Sequence, residues 1–192
     1  LGQKELEHLM FPMGLYGKSQ ARRLAQEMGL PVWNKAESQE TCFIFNGDYR
    51  QFLAERSAPQ PGDIVNARGK VLGRHSGIAF YTVGQRRGLG LVSRESLYVL
   101  SIDPLSNLIV VGSNNELLCN ELFASEVSFV SGVPLHEPID ITAKIRYKSP
   151  EAKAVLYPQG LRCRLVFEEP QRAVTPGQAV VFYRDDILLG GG

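Results

Sequence analysis

No run of apolar residues in this chain is long enough to cross a bilayer. The N-terminus also lacks the basic region followed by an apolar stretch that marks a secretory leader. Cysteine is scarce: three residues, at 42, 119 and 163, with no Cys-x-x-Cys pair. That spacing indicates neither a thiolate zinc site nor a dithiol redox motif, and no bound metal is expected. So sparse a set fits a reducing cytoplasm, where a single cysteine serves either packing or chemistry. Net charge is nearly absent, with 21 Lys and Arg against 20 Asp and Glu. The resulting +1 argues against a strongly basic protein that coats nucleic acid but leaves room for a local basic patch. A starting methionine is missing too, and the chain opens in mid-helix, which predicts a piece of a longer protein.

What is present is an ordinary globular composition, 44% apolar and 21% charged over 192 residues, enough for one domain or two small ones. Three zones follow one another. Residues 1–46 read as helical: a helix over Gln3–Met10, then a second whose Ala21, Leu24, Ala25 and Met28 share one face. Gly29 fits the left-handed stop, with Pro31 barring continuation and Pro31-Val32-Trp33 running on as an extended stretch. Residues 47–113 form a small β-rich central domain. Asp48 caps a short helix carrying Tyr49, Phe52 and Leu53, and Pro61-Gly62-Asp63 makes a turn. Arg68-Gly69 then turns a hairpin between Ile64-Val65 and Val71-Leu72. Glycines at 73, 77, 84, 88 and 90 deny the next stretch long regular elements, and either keep it loose or let backbone approach a ligand. Leu97–Ile102 and Leu108–Val111 flank a second hairpin turn, Asp103–Asn107.

Residues 114–192 read as a C-terminal β-barrel, with strands spaced about ten residues apart. Ile139, Ile141, Ala143 and Ile145 alternate with polar and basic residues, as do Leu161, Cys163, Leu165 and Phe167. Strands over Ala179–Tyr183 and Ile187–Leu189 close the chain. The whole is mainly β with a short helical N-terminal part, an α+β arrangement. Cys163 belongs to the core by its strand face, Cys119 has no chemical companions, and His75, with no carboxylate near it in sequence, reads as structural. Lys and Arg cluster at Lys18-Arg22-Arg23, Arg86-Arg87, Lys144-Arg146-Lys148 and Arg162-Arg164. Each cluster reads equally as solvated charge or as an RNA-facing patch.

Several phrases then occur in one order. Phe11-Pro12-Met13-Gly14 leads to Ser38-Gln39-Glu40-Thr41-Cys42-Phe43-Ile44. Gly73-Arg74-His75-Ser76-Gly77 precedes Tyr81-Thr82-Val83-Gly84-Gln85-Arg86-Arg87-Gly88-Leu89-Gly90. Ile145-Arg146-Tyr147, Thr175-Pro176-Gly177-Gln178 and Leu189-Gly190-Gly191-Gly192 follow. This series resembles the tRNA-specific 2-thiouridylases, which replace the 2-oxygen of the wobble uridine with sulfur, and the resemblance runs from Leu6 to Gly192. It implies that residues 1–46 are the end of a catalytic domain carrying the persulfide cysteine, Cys42. It further implies that Arg146, Tyr147 and Gln178 touch tRNA, with Arg86 and Arg87 as weaker candidates.

The same resemblance implies Mg-dependent ATP as cosubstrate, a sulfur-carrier protein as donor of the persulfide sulfur, tRNA as partner and a cytoplasmic setting with no membrane. It also implies a second cysteine upstream, able to form a disulfide with Cys42. Neither that cysteine nor the family's Ser-Gly-Gly-Val-Asp-Ser phosphate loop occurs in this sequence, so the chain by itself is expected to be inactive. Taken without the resemblance, Cys42 before Phe43-Ile44 reads as a small buried hydrophobe, Arg146 as a solvated strand residue and Tyr147 as an edge aromatic. A stand-alone RNA-binding β module without catalysis is the alternative, and it would have no need of Cys42.

Overall fold

The computed structural model describes residues 1–35, 49–56 and 58–192. The chain divides into two compact units, Leu1–Glu55 and Arg56–Gly192. Cys42, its Ser38–Ile44 segment and the cap expected at Asp48 lie outside the described residues.

The first unit holds α1 (Gln3–Leu6), a 3-10 turn at Pro12–Leu15, α2 (Lys18–Glu27) and nearly all of α3 (Tyr49–Arg56). Helix α1 stops four residues short of the expected Met10. Two bonds tighten its end, from the His8 and Leu9 amides to the Glu5 and Leu6 carbonyls, and the residue before Pro12 is disfavoured in helical backbone. Helix α2 ends as expected. Gly29 sits at φ +69, its amide donates to the Gln26 carbonyl, and the Leu30 amide reaches back to Ala25. After it the chain does not extend. Pro31–Asn34 is a turn, with the Trp33 amide donating to Leu30 and the Lys35 amide to Val32. Neither α1 nor α2 buries a residue fully, and Met10, Phe11, Leu15 and Met28 are exposed.

The second unit is built on two sheets. β1 (Gly62–Asn66), β2 (Val71–His75), β3 (Tyr98–Asp103) and β4 (Leu108–Gly112) form a four-stranded sheet in the order β2-β1-β4-β3. Both expected hairpins are present. In the first, the Asn66 side chain accepts the Arg68 and Lys70 amides and Gly69 takes φ +77. In the second, the Asp103 carboxylate accepts the Leu105 and Ser106 amides and the Ser106 hydroxyl, which holds its pKa below the ordinary aspartate value. β1 runs parallel to β4, and the fully buried Ile64, Val99, Ile109 and Val111 make the core between these strands.

β5 (Leu118–Ala124), β6 (Ser128–Phe129), β7 (Ile139–Lys144), β8 (Ala152–Gln159), β9 (Arg162–Arg172), β10 (Val181–Arg184) and β11 (Ile187–Gly191) form an antiparallel seven-stranded sheet in the order β5-β9-β8-β7-β10-β11-β6. It curls: a Cβ placed on Gly192, just past β11, would lie 2.7 Å from the Ser125 carbonyl beyond β5. The expected inward face is there in Ile141, Ala143 and Ile145 of one strand region and Cys163, Leu165 and Phe167 of another, packed with Leu156 and Phe182. Leu161 departs from the pattern. It is 77% exposed because Gly160 and Leu161 form the turn that joins β8 to β9. Pro158 is tolerated inside β8 because the pairing of β8 with β7 ends at Leu156, so no β7 carbonyl awaits its missing amide.

Candidate nucleic-acid interface

Arg146 follows β7 in a tight turn. Its amide donates to the Ser149 hydroxyl oxygen, and that hydroxyl donates back to the Arg146 carbonyl at 2.8 Å. The Arg146 Nη2 donates to the Arg172 carbonyl at 2.8 Å, which anchors one edge of a guanidinium that carries five N–H donors. At the tip of the same turn Tyr147 is 96% exposed, an aromatic ring presented to solvent. An exposed ring beside an anchored guanidinium can stack on an unpaired base while its neighbour meets a phosphate.

Gln178 is exposed on the Thr175–Gln178 turn, where Gly177 takes φ +79 and the Gln178 amide donates to the Thr175 carbonyl at 3.3 Å. Its side chain lines a cleft of about 810 Å³ between this turn and β5, and Ile145, the neighbour of Arg146, lines it too. Arg86 and Arg87 are exposed on a loop in which Gly84, Gly88 and Gly90 all take positive φ. Gln85 braces that loop: its Oε1 accepts the Thr82 amide and its Nε2 donates to the Arg87 carbonyl. Arg86 lines a second cleft of about 380 Å³ together with Arg94, Ser93 and Ser96.

One residue that the sequence reading did not single out stands between these two regions. Arg172, the last residue of β9, donates through Nε to Asn114 Oδ1 at 2.9 Å and through Nη2 to the Gly84 carbonyl at 3.5 Å. Its guanidinium lies 5.3 Å from the centroid of the Tyr98 ring. No local pattern around Gln171-Arg172-Ala173 marks it, since its partners are 58 and 88 residues away. A second cation, from the Arg162-Arg164 cluster, is also held within the fold. Arg164 donates to Glu121 at 2.7 Å and lies over the Tyr157 ring.

His75 is structural. It is 2% exposed, Nδ1 accepts the Gly77 amide, and the proton therefore sits on Nε2, which donates to the Asn107 carbonyl at 3.0 Å. Both ring nitrogens are spent inside the four-stranded sheet. The expected disulfide has no counterpart among the described residues. Cys163 is a free thiol sealed in the core, and the free thiol of Cys119 donates to the Glu121 carbonyl. The described residues also do not fit ATP. A triphosphate is cradled by a glycine-rich turn feeding the N-terminus of a helix, whereas the loop of left-handed glycines here runs from a 3-10 turn at Ile78–Phe80 into strand β3. Among the described residues no cluster of His, Cys, Asp and Glu could hold a metal ion, and no helix is long and apolar enough to cross a membrane.

The helical start, the four-stranded sheet and the curled seven-stranded sheet fall on three family models in series. Residues 1–46 match a tRNA methyl transferase HUP domain, residues 50–113 a tRNA methyl transferase PRC-barrel domain, and residues 119–192 an aminomethyltransferase beta-barrel domain. This succession defines a class of multidomain protein whose first two models carry tRNA in their descriptions. The particular branch follows from individual relatives. The tRNA-specific 2-thiouridylase MnmA of Pelotomaculum thermopropionicum is 48% identical over 98% of this chain and 52% of its own length. The proteins of that name from Moorella thermoacetica and Acetivibrio thermocellus are 46% and 47% identical over 99% of this chain and 54% of theirs. The chain belongs to the tRNA-specific 2-thiouridylase family. It spans about half the length of the curated relatives it matches.

Proposed function

We propose that this chain takes part in the 2-thiolation of the wobble uridine of cytoplasmic tRNA, as the RNA-holding and sulfur-delivering portion of a tRNA-uridine 2-sulfurtransferase. The observation that carries this reading is the identity of nearly one residue in two, over almost the whole chain, with relatives named for that activity. In this reading Cys42 carries the terminal persulfide sulfur, loaded by a sulfur-carrier protein. That outer sulfur bonds to the pyrimidine carbon as the activated 2-oxygen leaves. The upstream cysteine that the resemblance implies attacks the Cys42 sulfur, breaking the S–S bond and leaving a disulfide with Cys42. Arg146 and the Arg86-Arg87 loop meet backbone phosphates, the Tyr147 ring stacks on a base or sugar, and Gln178 donates or accepts at the mouth of its cleft. The ATP that the resemblance implies finds no fitting residues among those described, so activation of the uracil oxygen is assigned to none of them.

A persulfide carrier needs a thiolate stabilised by nearby positive charge, since the thiol is the poorer nucleophile. Thr41, Phe43 and Ile44 are neutral, so the cation that activates Cys42 comes from elsewhere in the fold. The test is thiolation of tRNA by the complete protein, read by mass spectrometry of nucleosides. Cys42→Ser is expected to abolish 2-thiouridine while tRNA is still bound. Thiolation that survives the substitution removes Cys42 from the mechanism.

A further inference from the structure

The two groups of candidate RNA contacts come from different sheets, and they are connected through one residue, by its backbone carbonyl on one side and its guanidinium on the other. Arg146, beyond β7, donates to the carbonyl of Arg172. The guanidinium of Arg172 in turn holds the carbonyl of Gly84, which opens the loop carrying Arg86 and Arg87. The Gly84 amide donates to the Val99 carbonyl at 2.8 Å, and the Val99 amide to the Gln85 carbonyl at 2.9 Å, so the loop is pinned to β3 at the point where Arg172 grips it. Asn114 and the Tyr98 ring fix the guanidinium from the side of the four-stranded sheet.

The backbone beside this clasp is built to hold it. Ala173 takes φ +56, which alanine adopts rarely, and is 2% exposed. Its amide donates to the Leu117 carbonyl at 2.8 Å. Gly84 faces it at φ +85, where a Cβ would lie 3.1 Å from the Ala173 Cβ and 3.4 Å from Arg172 Nη1. A side chain at this φ would be strained and would push Ala173 back by a few tenths of an ångström. A left-handed alanine, an apposed left-handed glycine and a guanidinium with three partners converge on one spot.

We propose that Arg172 is a positioning residue. It couples the Arg146 turn to the Gly84–Arg87 loop, so that arginines from both sheets present one preformed surface to tRNA. This rests on the RNA-binding role assigned above to Arg146, Arg86 and Arg87. Preforming the surface spares the RNA the cost of ordering two separate elements as it binds.

The test is a set of tRNA-binding measurements on the complete protein. Arg172→Ala is expected to raise Kd about tenfold, the size of a coupling between residues in one network. Combined with Arg86→Ala, Arg87→Ala and Arg146→Ala, it is expected to add less than about twofold, because nothing is left for it to position. Arg172→Lys keeps the charge but loses the fork that reaches Asn114 and Gly84 together, and should fall between the two. Asn114→Ala, which leaves Arg172 in place, should show a smaller loss with the same disappearance in the triple background, and it carries the comparison if Arg172→Ala does not fold.

An equal loss in both backgrounds would mean that Arg172 touches RNA itself or acts through global stability, and would overturn the proposal. So would an unchanged Kd for Arg172→Ala in the otherwise unaltered protein. Hydrogen exchange separates the coupling from the RNA-binding role. The Gly84 and Gln85 amides should exchange faster in Arg172→Ala, and unaltered exchange overturns the coupling alone. If instead the triple substitution leaves Kd unchanged while those amides do respond, the RNA-binding reading falls, and with it the purpose given to Arg172.

Discussion

In the proposed reading Arg146 serves both the fold and a ligand. One of its N–H donors is committed to the Arg172 carbonyl, and the planar fork that remains is suited to a phosphate. Arg146→Ala is therefore expected to weaken tRNA binding and to make the slope of log K against log salt shallower by about one. A filter-binding titration at several salt concentrations reads both, and an unchanged slope excludes Arg146 from phosphate contact. Cys163 is the opposite kind of residue. Burial in the core of the seven-stranded sheet pushes its thiol up from the ordinary 9.0 to about 11, even though the Ala124 backbone hydrogen-bonds it. The native chain should accordingly leave Cys163 unmodified by a thiol reagent at pH 8, with reaction appearing only in denaturant. Because the folded state holds this proton more tightly than the unfolded chain, the associated stability is present below pH 9.0 and lost as the pH rises toward 11. Sequence alone placed Cys163 in the core correctly by strand alternation. It put Leu161 there too, by the same rule, because alternation does not reveal where a strand yields to a turn.

At the scale of elements, backbone crowding explains positions that composition leaves ambiguous. Gly62 opens β1 with its Cα hydrogens against the second hairpin. A Cβ there would come within 2.2 Å of the Asn107 carbonyl oxygen and 2.7 Å of His75 Nε2, the two groups that bond each other across the sheet. Gly62→Ala should destabilise the chain by about 1–3 kcal/mol through overpacking against backbone, seen as a lower thermal midpoint. Gly62 lies in a turn phrase by sequence, Pro61-Gly62-Asp63, yet it joins the strand because His75 of β2 supplies its antiparallel partner. Helix α2 and its glycine stop were legible because both halves of that signal are local. The turn at Pro31–Asn34 was not, since an extended reading of Pro31-Val32-Trp33 and a turn are separated by only two amide bonds.

For the whole molecule, the proposed division of labour gives a direct expectation. Residues 1–192 by themselves should bind tRNA with a marked salt dependence and should not thiolate it when ATP and a sulfur donor are supplied, because no residue described here suits a triphosphate. Thiolation by this chain alone, measured by the same nucleoside analysis, would overturn that division.

The mainly β character, both hairpins, the alternating inner faces and the structural role of His75 were decided by the sequence itself. Period-two alternation and turn chemistry are properties of neighbouring residues, and they act before any long-range contact forms. Family membership was legible for a related reason: it rests on the order of short phrases, which needs no coordinates. The parallel pairing of β1 with β4, the curl that brings Gly192 to Ser125, and the Arg146–Arg172–Gly84 connection belong to the tertiary structure alone. These join residues tens of positions apart, and which distant partner a strand edge or a guanidinium finds is settled by how the buried faces pack, not by anything written beside it in the chain.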